Sequence, residues 1–408
     1  MEITGIIAEY NPFHNGHLYQ INQIRQHRDS LIVAVISGSF TQRGEAAILD
    51  KWQRAQCAVE SGCDLVLELP FAFACRSAQD FAQGGAALLA RLGIVSQLAF
   101  GAESDNLAQL QAIASQLDDK DFQKQLHQQI ANGLSYAQAI SAVLGNDENT
   151  ATLIRQPNNI LAIEYLRSLN RLPTSIKPLL IPRQGAGYHE PDIHGPLASA
   201  TAIRQALYQE TVADLASVLP AATYQATRQL SASQLPDMNR LYLPLQTKLL
   251  TSSFSSLQNI YGINEGLENR ILDMAQKASD WQKLIKAVTT KRYPASRIAR
   301  TLLYLLLDID KGSMALFDQA GPLYARLLAA SSQGKKLLKD IKQQSSIPLI
   351  TKTSQYLNTN KRRGAKADLT PFEQMLSLDT IATELRNLTC QTAADRNDFQ
   401  QSPVFSNR

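Results

Sequence analysis

The sequence predicts an α/β fold, a doubly wound parallel sheet followed by a mainly α-helical C-terminal domain. Three observations carry this expectation. Short apolar runs at residues 3–8, 31–36, 64–69 and 97–100 have the length of buried strands. Helix-like segments at 17–28, 47–61 and 78–92 separate them, and such alternation gives a parallel sheet with right-handed crossovers. Beyond about residue 205 strand periodicity fades and leucine-rich helical spacing dominates. A chain of 408 residues exceeds one ordinary core. It divides on this reading into units at 1–205 and 206–390, with a polar, aperiodic tail at 391–408 expected to be mobile.

Composition narrows the class. Hydrophobic residues make up 44% and charged residues 19% of the chain, which suits a soluble globular protein. No apolar run approaches the roughly 20 residues that span a bilayer, and no basic stretch followed by an apolar core opens the chain. The expected location is therefore cytoplasmic, with no membrane partner. Cys57, Cys63, Cys75 and Cys390 lack Cys-x-x-Cys spacing and neighbouring histidines, which argues against a zinc site or a disulfide framework. Residues 1–200 carry 14 basic against 19 acidic side chains, and residues 201–408 carry 26 against 17. The second half is thus the better candidate for nucleic acid, or else a solvated basic surface.

The first strand ends in Ile7-Ala8-Glu9-Tyr10-Asn11-Pro12-Phe13, and His14-Asn15-Gly16-His17 then opens a helix continuing through Leu18, Tyr19 and Gln20. A helix N-terminus presents unpaired N–H groups and partial positive charge, so it favours an anion. Two imidazoles three residues apart add donors on one face. Gly16 removes a side chain that would hold a phosphate away from the backbone. This arrangement predicts a nucleoside triphosphate ligand, with His14 and His17 as the catalytic candidates.

The loops after the strands come next, because doubly wound sheets bind ligands beyond the carboxyl ends of their strands. Ser37-Gly38-Ser39-Phe40-Thr41-Gln42-Arg43-Gly44 follows the second run and reads either as a contact to phosphate or second substrate, or as a flexible turn. Glu68-Leu69-Pro70-Phe71 reads as a structural turn. Gly101 follows the fourth run, where a nucleobase or ribose would lie against backbone. The Gln-rich helical stretch 105–145 is expected to cover the sheet. Pro157-Asn158-Asn159 signals a helix start, for which one asparagine suffices as the cap. Pro178-Leu179-Leu180-Ile181-Pro182 fits a fifth strand leading into Arg183-Gln184-Gly185-Ala186-Gly187-Tyr188-His189, with Arg183 bringing a cation to the phosphates. Ser199 or Thr201 caps the following helix while offering a hydroxyl to phosphate.

Basic clusters recur farther on. Lys291 and Arg292 precede Tyr293, and Arg297 and Arg300 lie three apart on a helix whose other side carries Ile298, Leu302 and Leu305. Lys335-Lys336 and Lys361-Arg362-Arg363 follow. A cationic helix face beside a tyrosine suits phosphate tracking and base stacking, or is simply solvated. Lys291, Arg292, Arg297, Arg300, Lys335 and Lys336 are the RNA-binding candidates.

The His14-x-Gly16-His17 string resembles the nucleotide-binding motif of the nucleotidylyltransferase (HUP-like) superfamily. The longer string Ala8 to His17 resembles more closely the bacterial tRNA(Met) cytidine acetate ligases, with the likeness running from Met1 to about residue 350. Leu197-Ala198-Ser199-Ala200-Thr201-Ala202-Ile203-Arg204 is similar to the Ser-Ser-Thr-x-Ile-Arg signature, with Ala200 in place of the second serine. The resemblance implies ATP as a substrate held by residues 7–20, Gly101, Asn158, Asn159, Arg183, Ser199 and Thr201; Mg2+ beside the nucleotide is compatible with this reading but required by no residue, and no dedicated protein metal site is identified. It also implies acetate and elongator tRNA(Met) as the other substrates, giving N4-acetylcytidine at wobble position 34. No protein partner is implied. Two other readings fit the residues: an adenylyltransferase acting on a small phosphorylated metabolite, its helical half serving oligomerisation, and a non-catalytic RNA-binding protein liganded by ATP.

Overall fold

The computed structural model describes residues 2–27, 29–134, 136–143, 152–184, 195, 197–209, 215–392 and 396–407. Eight strands form one sheet: β1 (Glu2–Ala8), β2 (Ser30–Ser37), β3 (Leu65–Leu69), β4 (Gln97–Ala102), β5 (Lys177–Pro182), β6 (Ala325–Ala330), β7 (Leu349–Ile350) and β8 (Val404–Phe405). Their spatial order is β5-β4-β1-β2-β3-β6-β7, with β8 also paired to β6. The first five run parallel, and the register along β1 and β2 pairs Glu2 with Ser30 through Ala8 with Ile36. The sheet is therefore the mainly parallel, doubly wound α/β type that the alternating runs predict.

Alternation along each strand divides the core between two faces, because successive side chains point to opposite sides. Ile6, Ile32, Ala34, Ile36, Val66 and Ala99 pack on one side with Ile21 and Ile24 of the helix Asn15–His27 and with Trp52 of the helix Lys51–Glu60. Ile7, Val33, Val35, Leu65, Leu67, Leu98 and Phe100 pack on the other with the helices Ala78–Arg91 and Pro157–Arg171. Leu110, Ile113, Leu117, Phe122 and Leu126 from the Gln-rich stretch join this second layer. The helix expected from residue 47 starts at Lys51, because Asp50 accepts from the Gln53 N–H while the Gln53 side chain accepts from the Asp50 N–H.

The C-terminal region is mainly helical, and Leu245, Ile271, Trp281, Leu284, Ile298, Leu302 and Phe317 belong to the same apolar cluster as the second face. Two expectations differ from the structure. The chain after residue 205 does not leave the sheet: β6 pairs antiparallel with β3, and β7 and β8 pair parallel with β6. The tail is also anchored where it is described. Val404 and Phe405 form a strand, and Asp398, 2% exposed, accepts from Lys51 Nζ at 2.6 Å and pairs with Arg326. Glu68 completes this buried group, accepting from Lys51 at 2.8 Å and Arg326 at 3.1 Å. The four cysteines are buried and form no disulfide. Among the described residues no helix is long and apolar enough to cross a membrane.

Candidate active site

A cavity of about 200 Å³ opens at the carboxyl ends of β1, β4 and β5. From the first strand and its turn it is lined by Ile7, Ala8, Glu9, Tyr10 and Asn11; from the following helix by His14, Gly16, His17, Tyr19 and Gln20. Gly101, Asn158, Arg183, Ser199 and Thr201 line it from four other segments. The fold thus brings most of the predicted nucleotide residues to one place.

The turn after β1 is sharply shaped. Tyr10 has φ 48°, and the Asn11–Pro12 peptide is cis. Asn11 Oδ1 accepts from the Ile48 N–H at 2.8 Å, and the Asn11 carbonyl accepts from Arg204 at 3.0 Å. Arg54, wholly buried, donates to the carbonyls of Glu9 at 2.7 Å, Ser37 at 2.9 Å and Leu49 at 3.2 Å, and also to Gly38. One guanidinium therefore ties together the ends of β1 and β2, where the cavity begins.

His14 and His17 lie with ring centroids 3.8 Å apart. His14 Nδ1 accepts from the Gly16 N–H at 3.0 Å, and His17 Nδ1 accepts from the His14 N–H at 3.2 Å. In the neutral rings both protons consequently sit on Nε2, where they are donors. Burial, reinforced by Arg183 and Arg204, pushes His14 down to about 3. Burial, with the neighbouring His14 and Arg183, holds His17 well below its ordinary value. Gly16 has an immediate steric reason: a Cβ there would stand 2.8 Å from His14 Cε1.

Other predicted residues stand behind the surface. Phe13 is buried and meets Tyr10 edge-on, with centroids 4.7 Å apart. Asn15 donates its side-chain amide to the Ser217 carbonyl at 2.8 Å, and Leu18 packs against the first-face core. Pro12, Phe13, Asn15, Leu18 and Asn159 are not among the cavity's lining residues. The two asparagines separate cleanly. Asn158 lines the cavity and its Oδ1 faces Arg183 at 3.5 Å, whereas Asn159 is buried, accepting from the Ser104 N–H and donating to the Leu153 carbonyl. Neither caps the helix. The Glu103 carboxylate at the end of β4 accepts from the N–H groups of Asn158 at 3.3 Å and Asn159 at 2.8 Å. Ser199 does cap its helix, accepting from the Ala202 N–H at 3.0 Å. Gly185 to His189 lie outside the described residues.

Gln42, Arg43, Phe81, Phe100, Leu161, Tyr165 and Arg204 also line the cavity. Gln42 and Arg43 come from the loop that the sequence left open between contact and flexible turn. Phe81, Leu161 and Tyr165 have core spacing on their helices, so no local signal marks them as cavity walls.

The RNA candidates are dispersed. Arg292 pairs with Glu265, Arg297 lies over Tyr293 at 4.6 Å, and Arg300 donates to the Gln42 carbonyl at 2.7 Å. Lys291 is exposed. Lys335 and Lys336 sit on the helix Ser332–Gln344, whose Gly334 abuts the Asp64 carbonyl just before β3. That is the end of the sheet opposite the cavity. Among the described residues no cluster of three or more His, Cys, Asp or Glu side chains is arranged to hold a metal ion.

Comparison with known proteins places this geometry in context. The family model described as HIGH Nucleotidyl Transferase matches residues 1–402. The chain is 40% identical to the tRNA(Met) cytidine acetate ligase of Syntrophomonas wolfei over 99% of both chains. It is also 40% identical to that of Caldanaerobacter subterraneus over 87% of this chain and 90% of the relative. The apo crystal structure of Thermotoga maritima TmcAL superposes with a TM-score of 0.91 at 29% identity, covering 100% of both chains. The same protein bound with alpha-thio ATP superposes with a TM-score of 0.89 at 28% identity, again over 100% of both chains. The chain belongs to the HIGH nucleotidyl transferase family, among the tRNA(Met) cytidine acetate ligases.

Proposed function

We propose that the protein is an ATP-dependent ligase that acetylates N4 of the wobble cytidine, position 34, in elongator tRNA(Met). The observation that carries this reading is the pair His14 and His17, both with Nε2 left as donor, in a cavity of a chain alike end to end to the acetate ligases. ATP occupies the cavity. An acetate oxygen attacks the α-phosphorus, the bond to the bridging oxygen breaks, and pyrophosphate leaves with that electron pair. Acetate is already ionised at neutral pH, so this step needs no general base. His14 and His17, with Arg183, stabilise charge that grows on the phosphate oxygens in the transition state. The cytidine N4 then attacks the acetyl carbonyl, AMP departs with the oxygen that acetate supplied, and N4 releases a proton. Mg2+ arriving with ATP would supply neutralisation of phosphate charge, and among the described residues no cluster of three or more His, Cys, Asp or Glu is arranged to hold it.

On this reading residues 1–205 form the catalytic unit and the basic helical region 206–390 receives tRNA, in the cytoplasm. Incubation with ATP, labelled acetate and unmodified tRNA(Met), followed by nucleoside analysis, tests it. Labelled N4-acetylcytidine is expected. ATP turnover on a phosphorylated metabolite without acetylcytidine would transfer the assignment to an adenylyltransferase, and RNA binding without acetate-dependent AMP to a non-catalytic binder.

A further inference from the structure

The helix Ala295–Leu306 has the spacing of an RNA-facing helix, yet one of its arginines reaches the loop after β2. Arg300 Nη1 donates to the Gln42 carbonyl at 2.7 Å, and the Gln42 N–H donates to Glu9 Oε1 at 2.9 Å. The peptide groups flanking Gln42 are thereby held from two sides, by the end of β1 and by a helix some 258 residues away in sequence. Gln42 and Arg43 both line the cavity. The contact is close along the backbone as well: Gly44 has φ 76°, and a Cβ there would stand 2.8 Å from the Arg300 nitrogen. Ile298 and Leu302 are buried, so the helix is a fixed support for the loop.

We infer that Arg300 is a positioning residue for the adenylation step and not an RNA contact. Its guanidinium sets the Gln42–Arg43 edge of the cavity against the reacting phosphates. The helix that carries Arg297 over Tyr293 thus braces a loop that lines the cavity, so RNA seated on that helix touches the element that holds the loop. This inference rests on the proposed adenylation reaction.

The test uses the full-length protein and three measurements: acetate-dependent ATP–pyrophosphate exchange without RNA, tRNA affinity as a function of salt, and thermal melting. Arg300→Met removes one charged hydrogen-bond donor, and exchange kcat is expected to fall roughly ten- to hundredfold. KM for ATP should change less than about threefold, and the slope of log Kd against log salt should stay constant. A true phosphate contact loses about one unit of that slope, the result expected for Arg297→Met. Gly44→Ala moves the loop off the helix without touching any charge and should reproduce the exchange defect with tRNA affinity intact. This second variant decides the matter if Arg300→Met does not fold. Normal RNA-free exchange in Gly44→Ala, or normal exchange with a reduced salt slope in Arg300→Met, would overturn the inference. Absence of acetate-dependent exchange in the unmodified protein would instead refute the proposed function.

Discussion

His14 and His17 face the cavity as neutral imidazoles, because burial and the cations Arg183 and Arg204 oppose protonation of His14, and burial, His14 and Arg183 oppose that of His17. In the proposed reaction they act by donating from Nε2, and removing one such donor typically costs about 3–4 kcal/mol in activation free energy. His14→Ala and His17→Ala are each expected to lower acetate-dependent ATP–pyrophosphate exchange by two to three orders of magnitude while tRNA affinity holds. The same burial has a pH signature. His14 is held at about 3 in the folded chain, below its ordinary 6.5. The unfolded chain therefore binds the proton more readily, and stability is lost as pH falls from about 6.5 toward 3. The urea midpoint should drop between pH 7 and pH 5, and should drop less in His14→Asn. These two histidines were legible in the sequence because the motif is local, a strand end followed at once by a helix start. Arg204 was legible only as part of a signature. Its role in holding the Asn11 carbonyl depends on a contact across 193 residues.

Among the elements, the loops after β1 and β2 depend on one side chain. Arg54 is fully buried and satisfies carbonyls from Glu9, Ser37 and Leu49 along with Gly38. Arg54→Met leaves those carbonyls without their donor at a cost of roughly 1–3 kcal/mol for each one that stays dry. Urea unfolding should show a loss of about 3 kcal/mol or more, and Arg54→Lys should recover only part of it, since an ammonium lacks the planar fork. In sequence Arg54 is merely a basic residue on a helix, and nothing local reveals its burial. The first five strands were legible because each is an apolar run bounded by turn residues. β6 was not. Ala325-Arg326-Leu327-Leu328-Ala329-Ala330 is built from good helix formers, and a short apolar run cannot be assigned by periodicity alone. β7 and β8, at two residues each, carry no pattern.

For the whole molecule, the end of the chain is wired into the centre of the sheet. Asp398 meets Lys51 from the helix after β2 and Arg326 from β6, and Glu68 from β3 meets the same two cations. Burial pushes the Asp398 carboxyl up, but Arg326 and Lys51 outweigh it and hold it at about 2. Its stabilising contribution is therefore present above the ordinary value of 3.8 and is lost as pH falls toward 2. Asp398→Asn leaves buried cations undercompensated and should cost about 3–5 kcal/mol in urea unfolding at pH 7, while Asp398→Asn at pH 2 should differ little from the unmodified chain. The expected division at residue 205 followed the change in charge and periodicity, which is real, but return of the chain to β3 is a long-range pairing that composition does not record. Chemistry at the cavity is what the whole arrangement serves, and isotope transfer reads it most directly. With acetate labelled by oxygen-18 in both carboxyl positions, ATP and unmodified tRNA(Met), attack of acetate on the α-phosphorus leaves one labelled oxygen in each AMP. Mass spectrometry should find AMP carrying a single oxygen-18 atom in step with acetylcytidine formation; unlabelled AMP formed alongside acetylcytidine would contradict activation of acetate as acetyl-AMP.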